Sequence, residues 1–182
     1  MSRTHRYAVA SAPCSVLALH ETTEQSIADM VRRCSPGTLR QRLHGNVRQA
    51  DASLLSALGM YRADHLSLIA VAAGQPVGLA TVVVEAPHTI EAAVLVEDAW
   101  QRHGIGSALA AAVCRVAAAE GYTRALVDVE LTNMAAVRLA ISSSSKLGLG
   151  LTCTSTGGST RQFRFTRRQG GAETASVSGH FA

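Results

Sequence analysis

The chain has 182 residues, 47% hydrophobic, 16% charged and 4% aromatic. That is one domain with enough apolar content for a core, which excludes a disordered chain, and the scarcity of aromatics argues against a stacking surface for single-stranded nucleic acid. The net charge of +4 is carried by arginine, with Lys146 the single lysine among 17 basic residues, and such modest basicity suits an anionic small ligand as well as nucleic acid.

In chain order, Val16 to Leu19 reads as a short strand. Thr22 and Gln25 stand at capping-box spacing and open a helix whose stripe is Ile27, Met30 and Val31, ending near Cys34. Ser35-Pro36 opens another, a serine N-cap followed by proline at the first helical position, and Gly45 ends it. Asp51 to Leu58 is expected to form a short helical turn. The middle is β. Leu66 to Ala73 and Val77 to Val84 predict a hairpin around Gly74. Thr89 to Val96 is a third strand, with Ile90, Ala92, Val94 and Val96 on one face and Glu91, Ala93 and Leu95 on the other.

Gly104 to Glu120 is a helix apolar nearly all round, hence buried on more than one side, with Gly121 as its C-terminal cap. Arg124 to Glu130 is a strand, and Asn133 to Ile141 a helix capped by Thr132 or Asn133. Ser142 to Ser145 reads as a frayed helix end, followed by Gly- and Thr-rich residues up to Thr160 and a final strand from Gln162 to Thr166. Residues 1–166 are read as one domain and 167–182, small, polar and Gly-rich, as a disordered tail.

Cys14, Cys34, Cys114 and Cys153 are scattered without metal-ligand spacing, so they read as reduced thiols of a cytoplasmic protein, and no metal is expected. Leu66 to Val84 is uncharged over 19 residues, the length of a membrane span, but Gly74-Gln75-Pro76 divides it into two strands. Arg3 and Arg6 precede an apolar stretch, yet Pro13 interrupts it and His20-Glu21 stands where a small-residue cleavage site belongs, so no signal peptide is expected.

The segment that carries chemistry runs from Glu91 to Gly106, as strand, short loop and helix. At the junction stand Gln101, Arg102, His103, Gly104, Ile105, Gly106 and Ser107. Two glycines let backbone approach a ligand, and the first helical turn offers unpaired N–H groups and partial positive charge, a place for phosphate. A Gly-rich turn without a ligand has the same local pattern. A dinucleotide fingerprint fails for want of a third glycine and a following acidic residue, and a P-loop fails for want of Gly-Lys-Ser/Thr.

What fits is Gln/Arg-x-x-Gly-x-Gly/Ala. With the order of elements around it, the chain resembles the GNAT superfamily of acetyl-CoA-dependent N-acetyltransferases over roughly residues 16–141. The strings Arg33-Cys34-Ser35-Pro36 and Arg42-Leu43-His44-Gly45, and the run from Glu91 to Gln101, resemble one branch of it. The resemblance implies an α/β (α+β) GNAT fold: a mixed, mostly antiparallel sheet flanked by helices. Its fourth and fifth family strands, here 89–96 and 124–130, would splay to admit acetyl-CoA. It implies that the backbone of Val94, Leu95 and Val96 pairs with pantetheine amides, that Gln101 to Ser107 cradle the pyrophosphate, and that Asn133 contacts the cosubstrate. Pantetheine is an extended diamide, so a splayed sheet edge is a suitable receptor. The Leu95 N–H is expected to polarise the thioester carbonyl.

N-acetylation needs a neutral amine, whereas an alkylamine is mostly protonated at pH 7. A carboxylate near the acyl group can take that proton. Glu91, three residues before the cosubstrate-pairing strand end and on an otherwise apolar face, is the expected base, at a position where some protein-lysine acetyltransferases of the superfamily carry theirs. Glu97 and Asp98 are read as surface-loop residues, and Glu130 remains a rival. Trp100 is read as packing, His103 as exposed and Cys114 as core. The chain departs from the family at the general acid, because the usual tyrosine position is Ala140, and Gly148-Leu149 stands in place of the usual Gly-Phe.

The expected partner is a primary amine, on a protein lysine or a small molecule, attacking directly without an acyl-enzyme. Neither nucleic acid nor membrane is expected as a partner, and homodimerisation stays open. Two readings from other classes remain: a non-catalytic acyl-CoA-binding sensor, raised by the missing tyrosine, and a nucleic-acid module built on Arg161, Arg164, Arg167 and Arg168.

Overall fold

Near-continuous apolar runs, buried on both faces, build the centre of the molecule as an antiparallel meander. The computed structural model describes residues 6–7, 14–18, 24–44, 58, 65–155 and 158–167. Their strands are β1 (Arg6–Tyr7), β2 (Ser15–Ala18), β3 (His65–Ala72), β4 (Gln75–Ala86), β5 (Thr89–Val96), β6 (Arg124–Glu130), β7 (Leu149–Ser155) and β8 (Thr160–Arg167). The helices are α1 (Glu24–Arg33), α2 (Pro36–Leu43), α3 (Ile105–Ala119) and α4 (Met134–Lys146). The strands form one sheet in the order β1-β2-β3-β4-β5-β6-β8-β7. Every pairing is antiparallel except β5 with β6, which is parallel.

The two faces of the sheet bury different helices. Leu68, Ala70, Ala80, Val82, Ile90 and Ala92 pack against Ile105, Ala108, Leu109, Ala112, Val113 and Val116 of α3. Phe163, Phe165 and Val129 pack on Ala140 of α4 on that same side, joined to α3's cluster through Ala125 and Val127. The opposite face carries Ile69, Leu79 and Leu95 under Ile27, Met30 and Val31 of α1 and Leu39 of α2. Each fully buried Ile, Leu or Met contributes about 1.5–3 kcal/mol. This is the sequence's alternation for Thr89 to Val96 realised, with Leu95 on one face and Ile90 and Ala92 on the other.

Local signals explain most boundaries. Ser35 Oγ accepts from the Thr38 N–H at 3.2 Å and Pro36 begins α2. Ala73 (φ 49°) and Gly74 (φ 77°) make the two-residue turn between β3 and β4, both left-handed as a strand-matched hairpin turn requires. Asn133, not Thr132, caps α4, its side chain accepting from the Ala136 N–H at 3.0 Å.

Other expectations are corrected. Helix α2 ends at Leu43, two residues before Gly45, with His44 in the left-handed position (φ 52°). Ser142 to Ser145 are not a frayed end, for α4 continues through them to Lys146. Ser143 and Ser144 are buried, Ser142 Oγ donates to the Leu139 carbonyl (3.1 Å) and Ser144 Oγ to that of Leu149 (2.9 Å), so their hydroxyls are satisfied by nearby carbonyls. The Gly- and Thr-rich stretch contains strand β7, completed by pairing with β8. Strand β8 begins at Thr160 and takes in Arg167, one residue past the expected domain end. The capping pair at Thr22, all but Leu58 of the turn at 51–58, and the tail beyond Arg167 lie outside the described residues. Among the described residues no helix is long and apolar enough to cross a membrane.

Candidate active site

Strands β5 and β6 are paired for three rungs only, Thr89 with Arg124, Ile90 with Ala125 and Glu91 with Leu126. Strand β5 nevertheless stays paired with β4 as far as Val96 opposite Gly78. From Ala92 onward the β6 side of β5 is therefore open. Ladder alternation decides which backbone groups face that opening. The Glu97 N–H donates to the Val77 carbonyl at 3.0 Å, so in this register Leu95 bonds across to Leu79 of β4, while Ala92, Val94 and Val96 point their N–H and C=O groups into the gap. Val94 and Val96 thus present backbone to the gap, whereas the Leu95 N–H is taken by the ladder and its side chain is buried under α1.

At the mouth of the gap a single 3₁₀ turn, Asp98–Trp100, leads into residues 101–104. Arg102 (φ 63°) and Gly104 (φ 83°) are left-handed there. Gly104 is the N-cap of α3 and has no side chain to cap it, and the first turn contains no acidic residue. The first helical bond is from the Ala108 N–H to the Gly104 carbonyl, at 3.0 Å. The N–H groups of Ile105, Gly106 and Ser107 thus lack intrahelical acceptors and point out of the end of a 15-residue helix, where the helix dipole favours an anion. Gln101, Arg102, His103 and Gly104 are exposed, Ser107 is half-buried, and Ile105 is buried and anchors the turn. A Cβ on Gly106 would stand 3.2 Å from Leu139 Cδ2, so this glycine also lets α4 close against the start of α3. Asn133 uses its Oδ1 to cap α4, and its side-chain N–H groups make no hydrogen bond among the described residues.

The loop is held from behind by residues read as plain surface groups. Glu97 is buried and ion-paired with Arg33 at 2.9 Å, and the Arg33 guanidinium also donates to the Pro76 carbonyl. Asp98 accepts from the Ser35 N–H, Ser35 Oγ and Thr38 Oγ1. Gln101 Nε2 donates to Thr38 Oγ1 and to the Val96 carbonyl, both at 3.2 Å. His103 Nδ1 lies 2.9 Å from the Gln101 carbonyl. Trp100 packs partly buried against the α3 core, as expected, and meets the His103 ring edge-on.

Glu91 sits on the last rung before the strands part, on the face opposite α3. The residue is exposed to solvent. Partial burial raises its pKa above the ordinary range, the carboxylates of Asp128 and Glu85 raise it further, and Arg42 and His44 oppose them. Such a carboxylate holds a proton more firmly than a free glutamate and is a better base. The Arg42 guanidinium is pushed down to about 10, by burial first, against the pull of Glu91.

A family model described as Acetyltransferase (GNAT) family matches residues 26–140. The chain belongs to the GNAT acetyltransferases. No curated protein matches it. Solved structures of the same fold include the GNAT domain of S. lividans PAT, 17% identical over 90% of this chain and 97% of that one, with a TM-score of 0.75. RimL, a ribosomal L7/L12 alpha-N-protein acetyltransferase in complex with coenzyme A, is 15% identical over 90% and 97%, with a TM-score of 0.67. YncA, a putative acetyltransferase from Salmonella typhimurium with its cofactor acetyl-CoA, is 18% identical over 90% and 99%, with a TM-score of 0.60.

Within this GNAT fold, Ala140 is buried among Val129, Phe163 and Phe165, so the position usual for the acid faces core. Burial pushes the Cys34 thiol up to about 12 and also raises that of Cys114, which keeps both protonated and poor nucleophiles. The arginines of β8 are divided between faces: Arg161 and Arg167 share the side of Phe163 and Phe165, and Arg164 points the other way. The sequence missed Arg42, Glu97 and the Ser35–Asp98 pair as parts of the site. Only the likeness of the Arg33 and Arg42 strings to one family branch hinted at them.

Proposed function

We propose that this GNAT protein moves an acetyl group from acetyl-CoA to a primary amine by direct attack, with Glu91 as general base. The observation that carries the reading is the parting of β5 from β6 immediately after Glu91, with the open N-terminus of α3 at the mouth of the gap. The backbone of Val94 and Val96 binds pantetheine as an added strand, and one of their N–H groups polarises the thioester carbonyl in place of Leu95. The turn from Gln101 to Ser107 holds the pyrophosphate, helped by the charge of Arg102. Asn133 directs its free amide N–H groups to the cosubstrate.

Glu91 accepts the ammonium proton, directly or through one water, leaving the amine lone pair free to attack. The carbonyl carbon then gains the C–N bond and loses the C–S bond, and the second proton leaves the new amide nitrogen for the departing thiolate or for water. A thiol of pKa about 8.5 leaves as thiolate without a strong acid, which is consistent with Ala140 at the usual acid position. The acceptor is a protein lysine or a small-molecule amine, and the compartment is the cytoplasm.

The test is an acceptor screen with acetyl-CoA, using lysine peptides, peptide N-termini and polyamines, read by release of free thiol. Turnover on one class supports the reading. The buried Ala140 favours one rival, a non-catalytic acyl-CoA sensor. That rival requires acetyl-CoA to raise the melting temperature by linkage while no amine releases thiol.

A further inference from the structure

We propose that Arg42 is a positioning residue for Glu91: held by Thr81 on the sheet face that carries Glu91, its guanidinium keeps that carboxylate charged and able to take the amine's proton. The proposal rests on the reading of Glu91 as base.

The geometry begins with α2. Its start is fastened to Asp98 through Ser35 and Thr38, and Leu39 is buried against the sheet. Arg42 follows three residues later, so it lies on the same side of the helix. Its Nη2 donates to Thr81 Oγ1 at 2.6 Å. In the β4–β5 register Thr81 stands opposite Ala93, and Val83 opposite Glu91. Thr81 and Glu91 are therefore diagonal neighbours on one face, about 7–8 Å apart between backbones and within reach of a long side chain.

The charge balance is lopsided. Arg42 has no carboxylate within ion-pair distance among the described residues, and Thr81 is its one hydrogen-bond partner there. A largely buried guanidinium without a counter-ion is costly, and the negative group it senses is Glu91. Glu91 in turn faces Glu85 of β4 and Asp128 of β6, both of like sign, and His44 at the end of α2. Arg42 is the permanent positive charge in this set, because guanidinium stays protonated even when burial lowers its pKa to about 10. Without it, burial and two neighbouring carboxylates would act on Glu91 against the opposing charge of His44. Glu91 would then hold its proton more firmly and lose its basic form at a higher pH.

The experiment is a ¹³C NMR titration of glutamate side-chain carboxyls in the wild-type protein, Arg42→Met and Arg42→Lys. The Glu91 signal is identified by its loss in Glu91→Gln. The midpoint should move up in Arg42→Met, stay near wild type in Arg42→Lys, and move down in Asp128→Asn. With a lysine peptide or spermidine as acceptor, whichever turns over, the acidic limb of kcat/KM should move by the same interval. Each unit of movement is a tenfold loss on that limb, with the high-pH plateau retained.

Should Arg42→Met fail to fold, Arg42→Gln keeps a donor for Thr81 and gives the same readout. A Glu91 midpoint unmoved by loss of the charge overturns the proposal. So does an equal loss in the Lys and Met variants at every pH. A rise in the acceptor KM alone would make Arg42 a substrate contact instead. Full activity of Glu91→Gln would overturn the base reading itself, a result distinguishable from any of these midpoints.

Discussion

Asp98 binds Ser35 twice, accepting from its backbone N–H and from its Oγ, both at 2.8 Å. Thr38 Oγ1 adds a third donor at 2.9 Å. The carboxylate thus ties the start of α2 to the turn that leads into the Gly-rich start of α3, and Gln101 joins the same group through Thr38. Loss of this junction should loosen the loop. Asp98→Ala is expected to raise the acetyl-CoA KM several-fold and to lower stability by about 1 kcal/mol, as for loss of a helix cap.

The same carboxylate makes a pH prediction. Partial burial pushes the Asp98 pKa up, but the hydrogen bonds from Ser35 and Thr38 outweigh it and hold the group below the ordinary range. A carboxyl depressed in the folded state contributes its stability above the unfolded pKa, about 3.9, and loses it as pH falls through the folded value. Urea midpoints should fall more steeply with acid below about pH 4 in the wild type than in Asp98→Asn. Parallel curves would show that the network does not stabilise the fold.

Gly104 has φ 83°. A Cβ there costs roughly 1–2 kcal/mol of backbone strain at the N-cap that presents the open N–H groups of α3. Gly104→Ala should raise the acetyl-CoA KM about tenfold or more, equivalent to about 1.4 kcal/mol of lost binding, while kcat at saturation is nearly kept. An unchanged KM in a folded variant would place the phosphates elsewhere.

Gly78 faces α3. A Cβ there would stand 3.1 Å from Ile105 Cγ2, 3.1 Å from Leu109 Cδ1 and 3.2 Å from the Leu95 carbonyl oxygen. The backbone oxygen cannot yield as a side chain can, so the helix must lift. Gly78→Ala should cost about 1–3 kcal/mol by overpacking, seen as a lower melting temperature, and should weaken acetyl-CoA binding if the open start of α3, which Ile105 begins, holds the pyrophosphate as proposed. A melting temperature equal to wild type would show that α3 can shift freely.

Glu91→Gln keeps the shape of the side chain and removes the proton acceptor. kcat at pH 7 should fall by about 10²–10⁴ with the acetyl-CoA KM little changed. The deficit should narrow toward the amine's own pKa, where the acceptor is already neutral. Because burial, Asp128 and Glu85 raise the Glu91 pKa, wild-type kcat/KM should decline with acid earlier than an ordinary glutamate would dictate. A loss uniform in pH would assign Glu91 to placing the substrate rather than deprotonating it.

Much of the fold was legible because its signals are local. The strands Thr89–Val96 and Arg124–Glu130 coincide with their sequence bounds, since alternation is a property of adjacent residues. Ser35-Pro36 and Asn133 start their helices by bonding within three residues of themselves. The Gly-x-Gly junction announced an open helix start for the same reason. Where local preference is weak the reading failed. Strand β7, with Thr, Ser and Gly at four of its seven positions, exists because β8 offers it a ladder, and the run Ser142 to Ser145 stays helical with the hydroxyls of Ser142 and Ser144 taken by nearby carbonyls.

Local sequence signals therefore determined most of the elements, their order, the open Gly-x-Gly helix start and the family to which they conform. Tertiary structure alone decided what surrounds Glu91 and which backbone faces the gap. Arg42, Thr81, Glu91 and Asp128 are far apart in the chain and meet only when α2 lies across β4 and β5. Glu97 changes from an apparent surface acid to a buried partner of Arg33, 64 residues away. The backbone of Leu95 faces β4 while that of Val94 and Val96 faces the gap, through the parity of the ladder with β4. Burial, Coulomb interaction and ladder parity depend on distances through space, which residue spacing along a chain does not encode.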